Sequence, residues 1–341
     1  MKAIYIKKTG PANKAFDFRE VPIPEPTDNE VCIQVNSFGL NFADVLARMG
    51  LYQDAPPLPS VIGYDVAGTV RAIGSTVTTC KVGDRVTALT RFGGYAEYAC
   101  TMQEGVTVIP DDLDFATATA LSTQGCTAYY CTDECVQLHE GDNVLIQAAA
   151  GGVGSIQVQI AKHKGCNVFG TASTKKQSFL RELGVDVPID YTKDKFKNVI
   201  AQSLGNDKKL DVVFDSIGGK AFKEAYKMLT PSGKMVFIGA ASQLKNGKAN
   251  ILTTLALASG FGIFSPIQLI MESKGMIGVN MLRLADNRPH IFKKCLDGVI
   301  KYWEDGVIKP HVHQVYKAED IATAHEELES RRSIGKVVCE W

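Results

Sequence analysis

Short apolar runs alternate with amphipathic segments between residues 143 and 240. The apolar runs predict strands over 143–146, 167–170, 187–190, 210–216 and 234–239. The segments between them carry apolar residues at helical spacing and predict helices that end at 164, 183, 204 and 229. A glycine follows each of the first three, and the turn 231–233 follows the fourth. This alternation predicts a parallel sheet with helices on both faces, the doubly wound α/β class.

The flanking regions have a different rhythm. Strand-like runs at Glu30–Val35 and Asp65–Ile73 are separated by glycine turns, and helical spacing is sparse before Phe115–Ala120. This indicates a mostly β module of about 120 residues. The chain returns to mixed structure after about residue 283, with a helix predicted over Ile321–Leu328 and a closing strand over Lys336–Glu340.

The longest apolar stretch is Ile251–Met271. It is nearly long enough to span a bilayer, but Gly260, Gly262 and Pro266 interrupt it. We therefore expect two short helices joined by a kink, forming a buried lid or an interface. Membrane contact is the less favoured alternative.

Composition narrows the functional classes. The 341 residues include 37 Lys and Arg against 37 Asp and Glu, so net charge argues against a nucleic-acid partner and an electrostatic membrane anchor. The nine cysteines are scattered without a C-x-x-C pair, so no metal site is expected. Scattered thiols and an N-terminus without a signal-length apolar run favour the reducing cytoplasm.

A glycine-rich turn follows the predicted strand 143–146 and opens the next helix. Gly151 and Gly152 allow a tight turn, and Gly154 lets the helix approach the strand. The helix N-terminus would present N–H groups to a dinucleotide pyrophosphate. Ala148 replaces the first glycine of the usual G-x-G-x-x-G pattern, so a tight turn without a ligand remains the alternative.

Six motifs in a fixed order extend along most of the chain. They are GLNFADVLARMGLY at 39–52, GYDVAGTV at 63–70, VGDRV at 82–86, GGYAEYA at 93–99, AAAGGVG at 148–154 and GK at 335–336. The chain resembles the medium-chain dehydrogenase/reductase superfamily, in its zinc-free quinone-oxidoreductase branch with zeta-crystallin and vesicle amine transport protein-like members. The resemblance implies a GroES-like, mostly β catalytic domain at 1–124 and 284–341, and a Rossmann NADP-binding domain at 125–283. In this family AxxGGxG is the usual form of the turn.

The resemblance also indicates that zinc is not used. Zinc-dependent relatives have GHE where this chain has Gly63-Tyr64-Asp65, so Tyr64 stands in the place of a ligand histidine. Their structural lobe of four cysteines is represented only by Cys100. Zinc needs three or four thiolate, imidazole or carboxylate ligands, and we expect no metal here.

The segment after the strand 167–170 predicts NADP(H) as the cofactor. It contains hydroxyls and lysines but no acidic residue for ribose hydroxyls. In the resembling reductases, lysine at the position of Lys176 contacts the 2′-phosphate and tyrosine at Tyr191 lies along the adenine. The alternative is that the lysines of this segment lie in solvent at the start of a helix and contact no phosphate. The cofactor contacts expected from the pattern and the resemblance together are Asp44, Ala150, Gly151, Gly152, Val153, Gly154, Ser173, Lys176, Tyr191, Phe237, Gly239, Ala240 and Lys336.

Without a metal, a bound cofactor would deliver hydride to a quinone or to the β-carbon of an enone. The carbonyl oxygen then gains negative charge and needs a hydrogen-bond donor. Family position nominates Asn41, Tyr52 and Tyr64 as catalytic donors. The alternative is that Asn41 and Asp44 only stabilise a local turn. Water is an alternative source of the final proton.

The leading functional prediction is an NADPH-dependent reductase of quinones or α,β-unsaturated carbonyls, with a small hydrophobic electrophile as substrate. The alternative is an NADPH-binding structural, sensor or vesicle-trafficking protein with little turnover. The resemblance implies a homodimer joined by an edge strand at Lys274–Met281. We also expect Ile251–Met271 to form a mobile flap over the substrate site.

Overall fold

The computed structural model describes residues 1–205, 209–239, 261–262 and 264–341. Contacts between Cα atoms divide the chain into two units. Unit 1 is Met1–Cys126 with Met281–Trp341, and unit 2 is Thr127–Asn280. The domain boundaries expected from the sequence, after 124 and before 284, lie within a few residues of this division.

Unit 1 is built mainly from antiparallel strands. Its strands are β1 (Lys2–Ile6), β2 (Phe16–Glu20), β3 (Glu30–Leu40), β4 (Ser60–Val61), β5 (Asp65–Ile73), β6 (Arg85–Leu89), β7 (Tyr98–Met102), β8 (Val106–Val108), β15 (Val312–Lys317) and β16 (Lys336–Glu340). Its helices are α1 (Ala12–Ala15), α2 (Phe42–Arg48), α3 (Phe115–Ala120), α10 (Met281–Asn287), α11 (Pro289–Glu304) and α12 (Ile321–Glu329). A π-helical turn at Leu121–Gly125 follows α3. The predicted elements Asp65–Ile73, Phe115–Ala120 and Lys336–Glu340 are confirmed.

The long strand β3 organises the larger sheet of unit 1. The order of that sheet is β15-β16-β3-β5-β6-β8, and β7 also pairs with β3. Gly39 lies opposite Asp65, and Leu40 lies opposite Val337. The C-terminal end of β3 therefore brings together the starts of α2, β5 and β16.

Unit 2 contains a six-stranded parallel sheet in the order β11-β10-β9-β12-β13-β14. The strands are β9 (Asn143–Ile146), β10 (Asn167–Ala172), β11 (Val187–Asp190), β12 (Leu210–Asp215), β13 (Leu229–Phe237) and β14 (Gly275–Gly278). The helices are α4 (Cys126–Tyr129), which begins at the last residue of unit 1, α5 (Gly152–His163), α6 (Gln177–Glu182), α7 (Phe196–Leu204), α8 (Gly219–Lys227) and α9 (Pro266–Glu272).

Alternate residues of the central strands of unit 2 are buried on opposite faces of the sheet. Val144 and Ile146 pack in one apolar cluster, whereas Leu145 packs in another. A sheet buried on both faces needs helices on both sides. The predictions of a doubly wound domain and of a GroES-like, mostly β domain are both confirmed.

One predicted turn differs from the structure, and one predicted segment lies mostly outside the described residues. The predicted turn at Pro231-Ser232-Gly233 lies inside β13, where the pairing with β12 shifts register after Leu229 and Ser232 has a φ of 72°. In the predicted apolar lid Ile251–Met271, residues 251–260 and 263 lie outside the described residues, so the flap remains a prediction. Pro266 begins α9, as expected for a break at that residue. Across the described ranges, no helix combines the length and apolarity needed to cross a bilayer.

Candidate active site

Asn41 and Asp44 mark the start of α2. Asn41 precedes the helix, and its backbone N–H donates to Asp44 Oδ2 at 2.7 Å. An acidic residue three positions into a helix often satisfies the N-terminal N–H in this way. Asp44 therefore has the local structural role that the sequence left open. Its predicted contact with a cofactor remains a prediction.

A fully buried ion pair lies beside Asn41. Lys336 at the start of β16 pairs through Nζ with Asp65 Oδ2 at the start of β5, and both side chains have 0% exposure. The lysine reaches Asp65 by crossing Gly39, where a Cβ atom would lie 2.3 Å from Lys336 Cε. Only glycine leaves room for this crossing. Within unit 1, the Lys336 ammonium group contacts Asp65 and Asn41. The predicted contact of Lys336 with the cofactor remains a prediction.

The ion pair fixes the orientation of the Asn41 side-chain amide. Asn41 Nδ2 donates to Asp65 Oδ2 at 2.6 Å, and Asn41 Oδ1 accepts from Lys336 Nζ at 3.0 Å. A carboxylate only accepts and an ammonium group only donates, so the nitrogen must face Asp65 and the oxygen must face Lys336. Gln124 Nε2 also donates to Asn41 Oδ1, at 3.2 Å. The second N–H of the Asn41 amide has no hydrogen-bond acceptor among the described residues.

Four residues of this cluster were not predicted from the sequence: Asp65, Ser122, Thr123 and Gln124. Asp65 Oδ1 accepts from Ser122 Oγ at 2.7 Å and from the Thr123 backbone N–H at 2.8 Å. These donors, with Gln124, come from the π-helical turn at Leu121–Gly125. A π turn in a helix is a recognised marker of functional sites, but no residue pattern in the sequence signals it. Asp65 belongs to the motif GYD, from which only Tyr64 was predicted as a site residue.

The two predicted tyrosines are close to each other. The rings of Tyr52 and Tyr64 are 6.5 Å apart with an edge-on arrangement, and Phe92 packs 5.0 Å from Tyr64. The Tyr64 hydroxyl is buried and meets no described atom at normal hydrogen-bond geometry. Burial raises the pKa of both phenols, and nearby Asp44 raises the pKa of Tyr64 further. Both groups are therefore protonated donors at neutral pH.

Asp44 is the unusual carboxyl group of the cluster. Burial raises its pKa to about 7, while the hydrogen bond from the Asn41 N–H partly opposes this change. The negative charge of Asp65 raises the pKa further, and Lys336 lowers it. A carboxyl group with this pKa can hold a proton at neutral pH.

In unit 2, the glycine turn has the geometry that a dinucleotide requires. Ala148 adopts a φ of 51°, and α5 begins at Gly152 immediately after the turn. A Cβ at Gly154 would lie 2.5 Å from the Ala148 carbonyl oxygen, so only glycine fits there. Gly151, Ala150 and Val153 form the rest of the turn and the first helical turn. Their backbone N–H groups include those that a helix leaves without internal acceptors.

The predicted adenosine residues lie where β10 and β11 end. Ser173 follows β10 and precedes a 3₁₀ turn at Thr174–Lys176. Tyr191 follows β11, is 56% exposed, and its backbone N–H donates to Ala172 O at 3.3 Å. Ser173, Lys176 and Tyr191 are therefore brought to one edge of the sheet.

A carboxylate that the local sequence did not reveal also lies at this edge. Asp190, the last residue of β11, accepts from Thr174 Oγ1 at 2.5 Å and from Thr192 Oγ1 at 2.6 Å. The hydrogen bond from Thr174 is the main cause that lowers the pKa of Asp190, so the group is charged. The prediction that no acidic residue follows β10 holds for the segment itself, but the neighbouring strand supplies one.

Phe237 and Gly239 lie at the end of β13. Gly239 is exposed, and the partly buried Phe237 ring packs edge-on against Phe222 with 5.4 Å between centroids. Their contact with a cofactor remains a prediction. Ala240 lies outside the described residues. The end of β12 holds an unpredicted residue, Asp215, whose buried Oδ1 accepts from the Ile217 and Gly218 N–H groups at 2.6 and 2.7 Å.

No group of three or more His, Cys, Asp or Glu side chains with metal-binding geometry occurs in the described ranges. Tyr64, in the place of the family's ligand histidine, is surrounded by aromatic rings.

Comparison with known proteins identifies the family. A family model described as alcohol dehydrogenase GroES-like domain matches residues 27–111, and one described as zinc-binding dehydrogenase matches residues 183–339. The human synaptic vesicle membrane protein VAT-1 homolog is 33% identical over 316 residues, covering 92% of this chain and 80% of that protein. A quinone oxidoreductase from Pseudomonas aeruginosa is 32% identical over 330 residues, covering 95% of each.

The solved structure of Escherichia coli quinone oxidoreductase complexed with NADPH superposes with a TM-score of 0.86 and 27% identity, covering 100% of both chains. The chain belongs to the medium-chain dehydrogenase/reductase superfamily, in the zinc-free quinone oxidoreductase and VAT-1-like branch.

Proposed function

We propose that this protein is a cytoplasmic, zinc-independent, NADPH-dependent oxidoreductase that reduces a quinone or an α,β-unsaturated carbonyl compound by hydride transfer. The observation that carries the proposal is the fixed amide of Asn41. Buried Asp65 and Lys336 orient it, and one N–H is left for an acceptor. Relatives named quinone oxidoreductase, one of them solved with NADPH, support the reaction class.

The residues of unit 2 fit NADPH. The α5 N-terminus offers backbone N–H groups and a partial positive charge to a pyrophosphate. Glycine at 154 keeps that approach open, because a side chain would collide with the Ala148 carbonyl. Lys176 supplies positive charge for a 2′-phosphate, and exposed Tyr191 offers a flat ring for the adenine.

When bound, NADPH would supply a hydride to an electrophilic carbon of the substrate. The residues of unit 1 would stabilise the negative charge on the substrate oxygen. Asn41 donates its second N–H, and the phenols of Tyr52 and Tyr64 are further donors that stay protonated at neutral pH. A donor already held in place does not need to reorganise during the reaction, which makes it effective.

We propose that the reaction does not proceed through a zinc-bound alcohol, because the side chain at position 64 is a poor zinc ligand. Tyr64 is a protonated phenol at the place where zinc-dependent relatives have an imidazole, and a protonated phenol is not among the usual zinc ligands. A chelator should therefore leave activity unchanged.

The test is a panel of quinones and enones with NADPH, in which cofactor consumption is followed by absorbance with and without chelator. Asn41→Leu should lower kcat about a hundredfold, as removal of an oxyanion donor does elsewhere, and leave the NADPH dissociation constant unchanged. Asn36→Leu, on the exposed side of β3, is the matched control. Equal kcat values for Asn41→Leu and Asn36→Leu would contradict the assignment of Asn41.

The name of the human relative, synaptic vesicle membrane protein VAT-1 homolog, supports a second candidate function. In that case the protein binds NADPH as a structural, sensing or trafficking component with little turnover. NADPH binding without consumption across the whole substrate panel would favour this function over reduction.

We also propose a homodimer joined at β14. This strand is last in the described sheet, and α9 beside it in sequence exposes Ile267, Ile270 and Met271 by 72%, 76% and 80%. An exposed strand edge next to apolar side chains invites pairing with a second copy. Ile277→Pro and Ile270→Glu should each give a monomer by sedimentation, whereas Val82→Glu, an exposed apolar residue of unit 1, should not. A monomeric parent protein at micromolar concentration would contradict the proposal.

A further inference from the structure

Two cysteines face each other across the pairing of β3 and β7. Cys32 lies opposite Cys100, between the pairs Val31–Thr101 and Ile33–Ala99. Directly opposed residues of antiparallel strands point to the same face of the sheet. The two thiols are therefore neighbours by backbone register alone.

The backbone hydrogen bonds between β3 and β7 show whether Cys32 and Cys100 form a hydrogen-bonded or a non-hydrogen-bonded pair. The Val35 N–H donates to Glu97 O at 2.8 Å, and the Gln103 N–H donates to Asn29 O at 3.0 Å. These bonds define hydrogen-bonded pairs at residues 29 and 35 of the chain, and such pairs alternate with non-hydrogen-bonded ones. Cys32, three residues from each, is therefore in a non-hydrogen-bonded pair. In such pairs the Cα atoms are about 4.5 Å apart, at the lower end of the disulfide range.

The side chains agree with the backbone. Cys32 Sγ is 3.5 Å from the Pro24 carbonyl oxygen, and Cys100 Sγ is 3.8 Å from the same atom. Both sulfurs therefore turn toward one point above the sheet. Cys32 is 1% exposed, whereas Cys100 is partly exposed, so the pair is accessible from the Cys100 side.

We propose that Cys32 and Cys100 are a redox-sensitive pair that forms a reversible cross-strand disulfide, with hydroperoxides as the class of oxidant. The proposal goes beyond the reductase function and does not depend on it. It concerns a covalent modification within unit 1.

The chemistry is a two-electron oxidation of two thiols. Cys32 reacts as its thiolate, after giving its own proton to solvent. A hydroperoxide reaches Cys100, whose thiol proton moves to Cys32 as the Cys100 sulfur attacks one peroxide oxygen. The O–O bond breaks, Cys100 becomes a sulfenic acid, and the other oxygen leaves as an alkoxide or hydroxide, which takes the proton from Cys32 and becomes an alcohol or water. The Cys32 thiolate then attacks the Cys100 sulfur, the S–S bond forms, and the leaving hydroxide takes up a proton from solvent and becomes water. With hydrogen peroxide, two thiols and one peroxide give one disulfide and two waters.

The electrostatics of the pair help the second step. A hydrogen bond from the Cys100 thiol lowers the pKa of Cys32, and the positive charge of Arg71 contributes in the same direction. The thiolate is the attacking form in disulfide formation.

The test is peroxide oxidation of the folded protein, followed by alkylation and peptide mapping. Seven of the nine cysteines should be alkylated, and the missing two should be recovered as one cross-linked peptide pair containing Cys32 and Cys100. Dithiothreitol should restore all nine. Cys32→Ser and Cys100→Ser should each abolish the cross-link, whereas Cys80→Ser, at another partly exposed cysteine, should retain it.

Oxidation in urea separates geometry from mere reactivity. The structure predicts that unfolding slows formation of this cross-link at least tenfold relative to the folded protein. Equal rates in both states, or oxidation of Cys100 to sulfinic acid without any link to Cys32, would overturn the proposal.

Discussion

The two units build their candidate sites from different materials. In unit 2, the site is a continuous backbone turn that consists of the N-terminus of α5 and a glycine packed against the Ala148 carbonyl. In unit 1, it is a buried set of side chains from four distant segments: the start of α2, the start of β5, the π-helical turn and the start of β16. The first site depends on the absence of a Cβ at Gly154, whereas the second depends on matched buried charge as well as on the absence of a Cβ at Gly39.

The difference implies opposite sensitivities to mutation. The unit 1 cluster should be intolerant of any change that leaves a buried charge alone, because such a charge loses hydration without a partner. The unit 2 turn should be intolerant of added atoms and insensitive to the surrounding charges, apart from those that face the cofactor phosphates.

The largest expected effect comes from Lys336→Met. It leaves the fully buried Asp65 without its cation, and breaking buried pairs in this way costs about 3–5 kcal/mol of unfolding free energy. Urea unfolding measures the loss. Adding Asp65→Asn to Lys336→Met should recover part of it, because the remaining charge is removed. Lys162→Met breaks a half-exposed pair with Asp186 and should cost less than about 1 kcal/mol. Equal costs at Lys336 and Lys162 would contradict the distinction.

The second prediction concerns Gly154→Ala. The new Cβ would lie 2.5 Å from the Ala148 carbonyl oxygen, so the turn must shift away from the geometry that receives the pyrophosphate. We expect NADPH affinity to fall about ten- to a hundredfold, the effect of losing about 1.4–2.8 kcal/mol of binding. Calorimetric titration measures it. Gly275→Ala, whose Cβ would meet Lys234 Cγ at 3.4 Å, is the control and should bind NADPH normally.

The third prediction tests cofactor choice. Lys176→Glu should reduce the preference for NADPH over NADH by about tenfold or more, because the charge-assisted contact that we propose between Lys176 and the 2′-phosphate would be lost. Lys175→Glu changes the adjacent exposed lysine and should have a much smaller effect. Asp190→Asn should strengthen the NADPH preference, since it removes a negative charge from the same edge of the sheet. Equal dissociation constants for the two cofactors in the parent protein would refute this account of specificity.

The fourth prediction concerns the pH dependence that Asp44 gives to the stability of the protein. Because its pKa is raised from 3.8 to about 7 in the folded protein, its contribution to stability is full below pH 3.8 and is lost as pH rises through 7. Asp44→Asn keeps an oxygen for the Asn41 N–H and cannot ionise. Relative to the parent, it should therefore be more stable in urea at pH 8 than at pH 5.

The same comparison explains what the sequence could and could not predict. The strands at 143–146 and 187–190 and the α5 turn follow from local patterns, because a parallel strand and its glycine turn are contiguous in sequence. The partnership of Asn41 with Asp65 and Lys336 depends on strand pairing over as many as 295 residues, which no local pattern encodes. The Asp190 carboxylate was missed for the same reason, since it reaches Thr174 from the next strand of the sheet.

The most direct test of the central claim uses NADPH deuterated at C4 of the nicotinamide with an enone substrate. The account predicts a saturated product that carries one deuterium at the former β-carbon, at a rate lowered about a hundredfold in Asn41→Leu. Tight NADPH binding with no deuterated product, or product formation unaffected by Asn41→Leu, would contradict it.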